Sequence, residues 1–220
     1  MLSSSLPYAM AMLTMVAVGL SSMSPIINTI DAQAEQPAEL SEEERKILIR
    51  LTTAIALNNF DNLQNLLQPH IHIHNSSIVN ECLHHAALFK RKTIIEYLRT
   101  EAGADLNYTR NDVVNGSILH ATITAEEDGY VNGPSMLATL KYLLDQPGIN
   151  VDIASPVNGN TPLHYAYKKR YDPELTAPKA AIYQQVIDTL LNHGASSNIP
   201  NNNGETPEQM LNHLQQQHHN

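Results

Sequence analysis

The amino-acid sequence predicts an all-α chain: a solenoid of about four to five helix-hairpin repeats, with degenerate caps and two inserted inter-helix loops. Three observations point there. The chain lacks aromatic bulk, a short helix-start motif recurs along it, and paired leucines followed by glycine-bearing turns recur behind that motif.

There is no Trp and there are only two Phe among 220 residues, so Leu, Ile, Val and Ala must fill the core. Such side chains suit stacked helices better than a sandwich or barrel. The net charge is -9, and the 13 Lys and Arg form no run longer than Lys90-Arg91-Lys92 or Lys168-Lys169-Arg170. No nucleic-acid partner is expected, because duplex binding needs a basic face that displaces counterions. Cys82 is the sole cysteine, which rules out an intramolecular disulfide and a cysteine metal cluster.

The clearest copy of the motif is Gly159-Asn160-Thr161-Pro162-Leu163-His164-Tyr165-Ala166. Weaker copies are Asn80-Glu81-Cys82-Leu83-His84-His85-Ala86-Ala87, Ser117-Ile118-Leu119-His120-Ala121-Thr122 and Leu51-Thr52-Thr53-Ala54, with Gly204-Glu205-Thr206-Pro207-Glu208 near the end. The Leu pairs, or their relics, are Leu66-Leu67, Tyr97-Leu98, Leu143-Leu144 and Leu190-Leu191. Turns follow at Ala102 to Asn107, Pro147 to Val151 and His193 to Asn198. A lone helix pair cannot bury both apolar faces, so neighbouring pairs stack and share one core. Pro162 fits the first turn of a helix, Thr161 suits its cap, and Ala54, Ala86 and Ala166 suit close helix contact. Thr122 replaces that Ala, which predicts a looser junction in the third repeat.

These residues resemble the ankyrin repeat, with its Thr-Pro-Leu-His-x-Ala helix start, paired leucines and Gly-Ala-Asp-x-Asn turn. The resemblance covers about residues 45–214. Spacing between aligned leucines widens along the chain, from Leu51–Leu83 to Leu119–Leu163, against a family period of about 33 residues. The excess lies between the two helices of the third and fourth repeats, at Glu126 to Pro134 and about Arg170 to Lys179. The expected organisation is a leader or anchor at 1–34, an acidic linker at 35–44 and repeats near 45–74, 75–107, 108–152 and 153–198. A partial repeat at 199–214 and a polar tail at 215–220 close the chain.

Residues 1–30 carry no charged side chain, and acidic residues follow from Asp31 onward. Met10 to Leu20 reads as the apolar part of a secretory signal, with Ala32-Gln33-Ala34 as a small-residue cleavage site. Alternatively, residues 6–30 are retained as a membrane anchor, or form a buried or disordered cytosolic extension. Both membrane readings put the repeats outside the cytoplasm, periplasmic or secreted in the first and membrane-anchored in the second.

The resemblance implies a monomeric, non-enzymatic module that binds a protein partner through its concave face and loops. By the same resemblance, His84, His120 and His164 bond backbone groups of the turns, and Asn107 packs within its turn. Partner-binding positions carried over from the family are Leu88, Phe89, Thr124, Ala125, Lys168 and Lys169 on the first helices. On the hairpin tips they are Arg110, Asp112, Val113, Ser155 and Val157. Leu88 and Phe89 are read either as groove anchors or as part of the core. No cofactor is expected. In an extended strand His70, His72 and His74 would share one face at about 7 Å per step, a pattern able to bind zinc or copper. That cluster gives the alternative reading, a periplasmic metal-binding or stress protein; the plainer one is a polar hairpin arm.

Overall fold

In the computed structural model the described residues are 41–71, 76–111, 116–124 and 133–218. Residues 1–40 lie outside them, and with them the expected leader or anchor at 1–34, as does most of the third-repeat insert. Among the described residues the chain is all-helical: α1 Glu42–Ala56, α2 Phe60–Ile71, α3 Ser76–Leu88, α4 Lys92–Thr100, α5 Ile118–Thr124, α6 Gly133–Leu144, α7 Pro162–Arg170, α8 Ala177–Asn192 and α9 Pro207–His218. An isolated antiparallel bridge joins Thr109 to Ser117. The helices fall into two compact units, Met1–Cys82 and Leu83–Asn220, with the division inside α3.

In the first unit, α1 begins in the stretch expected to be linker. Ser41 and Glu44 form a capping box: the Ser41 N–H donates to Glu44 Oε2 (2.8 Å) and the Glu44 N–H to Ser41 Oγ (3.3 Å). Glu42, Glu43 and Glu44 then sit in the first turn, where the helix dipole favours anions. Acidic composition suggested a linker, but these three acids start the helix. Leu48, Leu51, Ala54 and Ile55 of α1 and Leu63 and Leu67 of α2 form the buried face. The backbone of α2 stays helical through His70 and Ile71, so the extended strand needed to align the histidines is not present there. Residues two apart on a helix do not share a face.

The helix α3 begins at Ser76, ahead of the Asn80–Cys82 start that the motif suggested. Cys82 occupies the Pro position of the motif and, unlike proline, has a backbone N–H to donate, so the helix runs on through it. The α1–α2 and α3–α4 junctions share one turn geometry. Asn58 and Lys90 both adopt left-handed φ (54° and 55°), each donating its N–H three residues back, to Ile55 O and Ala87 O. Leu57 and Phe89 occupy equivalent places just before them.

Within the second unit, helix pairs α5/α6 and α7/α8 each pack internally; α5 packs on α7, α6 on α8, and α7 on α9. Two hydrogen-bond rails fix the register. In the first, His120 Nε2 donates to Asn160 O and His164 Nε2 to Glu205 O, both at 2.9 Å. In the second, Asn107 Oδ1 accepts the Asn150 N–H (2.8 Å), and Asp152 Oδ1 accepts the Ser196 N–H (2.9 Å). The turns repeat internally as well: Asn107 N–H meets Asp105 Oδ1, Asp152 N–H meets Asn150 Oδ1, and Asn198 N–H meets Ser196 Oγ. Successive repeats thus make the same bonds with Asn, Asp or Ser in the same slot. Gly103, Gly148 and Gly194 leave the second helices with φ of 68°, 80° and 86°, conformations that favour glycine.

Thr122 is fully buried, and its hydroxyl donates to Ile118 O (2.8 Å), so α5 accommodates the larger side chain without exposing it. The fourth-repeat insert divides between the loop Tyr171 to Thr176 and the first turn of α8, which at 16 residues is longer than the nine-residue α4. The expected polar tail is also partly helical, since α9 runs through Gln215 to Gln217, and Gln215 Nε2 donates to the Tyr171 hydroxyl (3.2 Å).

Gly159 gives a direct check of the tip packing. Its φ is 72°, and an added Cβ would stand 2.7 Å from Asn202 N, whose N–H donates to Asn158 O. Gly159→Ala is expected to lower stability by about 1–3 kcal/mol in chemical denaturation. An unchanged midpoint would show that this tip junction does not exist in solution.

Candidate binding surface

The tips and first helices of the second unit are built around neutral histidines. Asn160 O can only accept, so His120 carries its proton on Nε2, and Nδ1 accepts from the Ser117 hydroxyl (2.6 Å). His164 is arranged likewise, its Nδ1 facing the Thr161 N–H (3.1 Å) and hydroxyl (3.0 Å). Burial pushes the His120 pKa down to about 4 and lowers that of His164. Tyr165 lies edge-on to His120 at 4.8 Å, and its hydroxyl meets Asn158 Nδ2 at 3.2 Å. Tyr183 reaches across to donate to Ile123 O (3.1 Å). His84 differs in placement, being buried within α3 instead of at a helix start. Burial, helped by Glu81, raises the Cys82 thiol far above its ordinary value, which suits a packed side chain.

The structure sorts the expected partner-binding positions. Thr124 and Ser155 are corrected from surface to interior. Thr124 is buried with its hydroxyl on His120 O (2.7 Å); Ser155 is 1 % exposed and its N–H closes the tip onto Asn160 O (2.8 Å). Their short polar side chains satisfy backbone and neighbouring groups and so point away from solvent. Val157 is 45 % exposed at the same tip. Arg110 is half-buried beside the Thr109–Ser117 bridge, its N–H on Gly116 O (2.7 Å). Lys168 is exposed and Lys169 half-buried in the last turn of α7. Asp112, Val113, Ala125, His72 and His74 lie outside the described residues, as does the side chain of His70.

Leu88 and Phe89, at the end of α3, are half-buried. Phe89→Ala is expected to weaken partner binding by roughly 1–3 kcal/mol while the melting temperature hardly moves. A stability loss of about 3–5 kcal/mol instead would assign Phe89 to the core.

The sequence placed Lys179 at the end of the fourth-repeat insert, about Arg170 to Lys179, between the two helices. It sits in the first turn of α8, beside the last turn of α7 across a short loop.

Residues 158–202 match the family model for the ankyrin repeat. That segment runs from the tip before α7 through α8 to the next tip, and it contributes Asn160 and His164 to the first rail and Ser196 to the second. The chain carries an ankyrin repeat at residues 158–202. No curated protein matches it. Ankyrin repeats point to protein–protein interaction and generally serve as non-enzymatic binding modules. Among the described residues, no helix is long and apolar enough to cross a membrane, and no three His, Cys, Asp or Glu side chains gather as metal ligands. The ankyrin match does not reach residues 1–34.

Proposed function

We propose that the protein is a binding module that acts outside the cytoplasm, recognising a partner protein with side chains that the repeat stack leaves outward. One observation carries the reading. The rails consume the tip backbone together with Asn107, Asp152, His120 and His164, whereas Val157 and Lys168 point outward and take no part in them. The fold specifies its own stacking with one set of residues and leaves another free for recognition. Immobilised full chain should capture a partner whose retention falls when Lys168→Glu and Lys169→Glu are combined, with the circular dichroism melt unchanged. Capture indifferent to these and to Phe89→Ala would move the site away from this face.

Placement outside the cytoplasm rests on the charge-free residues 1–30, the Ala32-Gln33-Ala34 site and the acidic stretch behind it. Expressed with its own leader, the mature protein is expected to begin near Glu35. Mass spectrometry finding intact Met1 in a soluble cytosolic fraction would overturn export, and finding it in membranes would favour the anchor made by residues 6–30.

A further inference from the structure

We propose that the junction between α7 and α8 is a docking edge for an acidic peptide segment of the partner protein. This names the chemistry of the partner and rests on the binding-module reading above. The chain as a whole is acidic, with 22 Asp and Glu against 13 Lys and Arg. Along residues 168–179 the balance reverses, with Asp188 and Glu208 of the neighbouring helices close enough for their charges to act on Tyr167. Lys168, Lys169 and Arg170 end α7, and Lys179 lies in the first turn of α8, against Asp172 and Glu174 in the loop between them. Asp172 is occupied in its own turn, where its Oδ1 accepts the Glu174 N–H (3.0 Å).

Stability does not account for the arrangement. Cations in the last turn of α7 complement its dipole, but Lys179 stands where the dipole of α8 opposes a positive charge, and no acid occupies that first turn. Among the described residues, Lys168, Lys169 and Lys179 make no hydrogen bond or ion pair. The basic run before α4 is used differently. There Lys90 Nζ donates to Leu88 O (3.0 Å) and Lys92 Nζ lies 4.9 Å over the Tyr142 ring, so those charges serve the fold. Arg170 is also held in place, its guanidinium 5.3 Å over the Tyr171 ring and its buried Nε without an acceptor. Tyr171 is itself anchored by Gln215 of α9. A planar donor fixed on an aromatic ring beside three uncommitted ammonium groups fits carboxylates presented along a peptide.

The test is fluorescence anisotropy with a labelled oligoglutamate peptide and the full chain. The expected result is saturable binding that weakens with added salt. Binding should fall roughly tenfold or more in the Lys168→Glu, Lys169→Glu, Lys179→Glu protein. Because Lys168 and Lys179 are exposed, the pair Lys168→Gln and Lys179→Gln provides a milder variant whose melt reports any folding loss. Binding no tighter than to a glycine–serine peptide, or equal in wild type and variants, would overturn the proposal. So would tighter binding to single-stranded RNA or anionic vesicles, which would make the edge a general polyanion site. If the variants still retain the partner caught by wild-type protein, the acidic-peptide edge is wrong while the binding-module reading survives.

Discussion

Moving from pH 6.5 to pH 5 is expected to cost the folded chain about 2 kcal/mol of stability, with about 3 kcal/mol lost by pH 4. The cause is the neutral first rail. Desolvation holds His120 at about 4 in the folded chain, while an unfolded histidine titrates near its ordinary value of about 6.5. Between these values the unfolded state binds the extra proton, so stability is whole above the unfolded pKa and drains away as pH falls toward the folded one. His164 is lowered too and adds in the same direction. Geometry explains why a proton is refused. A second proton on His164 Nδ1 would face the Thr161 N–H, and one on His120 Nδ1 would turn the Ser117 hydroxyl away. Urea midpoints between pH 6.5 and pH 5, above the range where most carboxylates titrate, isolate the histidine contribution. His120→Asn should flatten much of the slope. A wild-type slope near zero would mean that these rings are solvated.

Ending the chain after Pro200, which removes α9 and its tip, is expected to destabilise the second unit by more than about 3 kcal/mol and to cause aggregation. His164 would lose Glu205 O, its acceptor, leaving a buried N–H unpaired at a cost of about 1–3 kcal/mol. Asn160 would lose Asn201, and Asn158 O would lose the Asn202 N–H. The face of α7 against which α9 packs would meet water. Differential scanning calorimetry with gel filtration reads both effects. A truncated protein that melts like the full chain and stays monodisperse would show that α9 is not part of the stack.

Much of the fold was legible because the repeat writes its constraints locally. Pro162 set a helix start, Gly103, Gly148 and Gly194 set the exits, and the Leu-His slot placed His120 and His164 on the rail they occupy. Legibility failed where one of those marks was missing. Without Pro at position 82, α3 ran back to Ser76, and the extra residues of the fourth repeat lengthened α8 instead of forming only a loop. The surface was harder to read, since alignment assigns a position to a tip but not a direction to its side chain. Ser155 and Val157 are two residues apart on one tip, yet one is buried and the other exposed. Lys179 read as part of a loop, because its place in the first turn of α8 depends on the helix that the insert lengthens.

Site-resolved cross-linking of the captured partner tests the account most directly. A photoreactive residue is placed in turn at Val157, at Lys168 and at Leu191, an exposed position near the end of α8. The account predicts adducts from Val157 and Lys168, lost when excess unlabelled protein competes, and none from Leu191. Adducts from Leu191 alone, or equal and non-competed yields at all three positions, would contradict a binding module that uses this face.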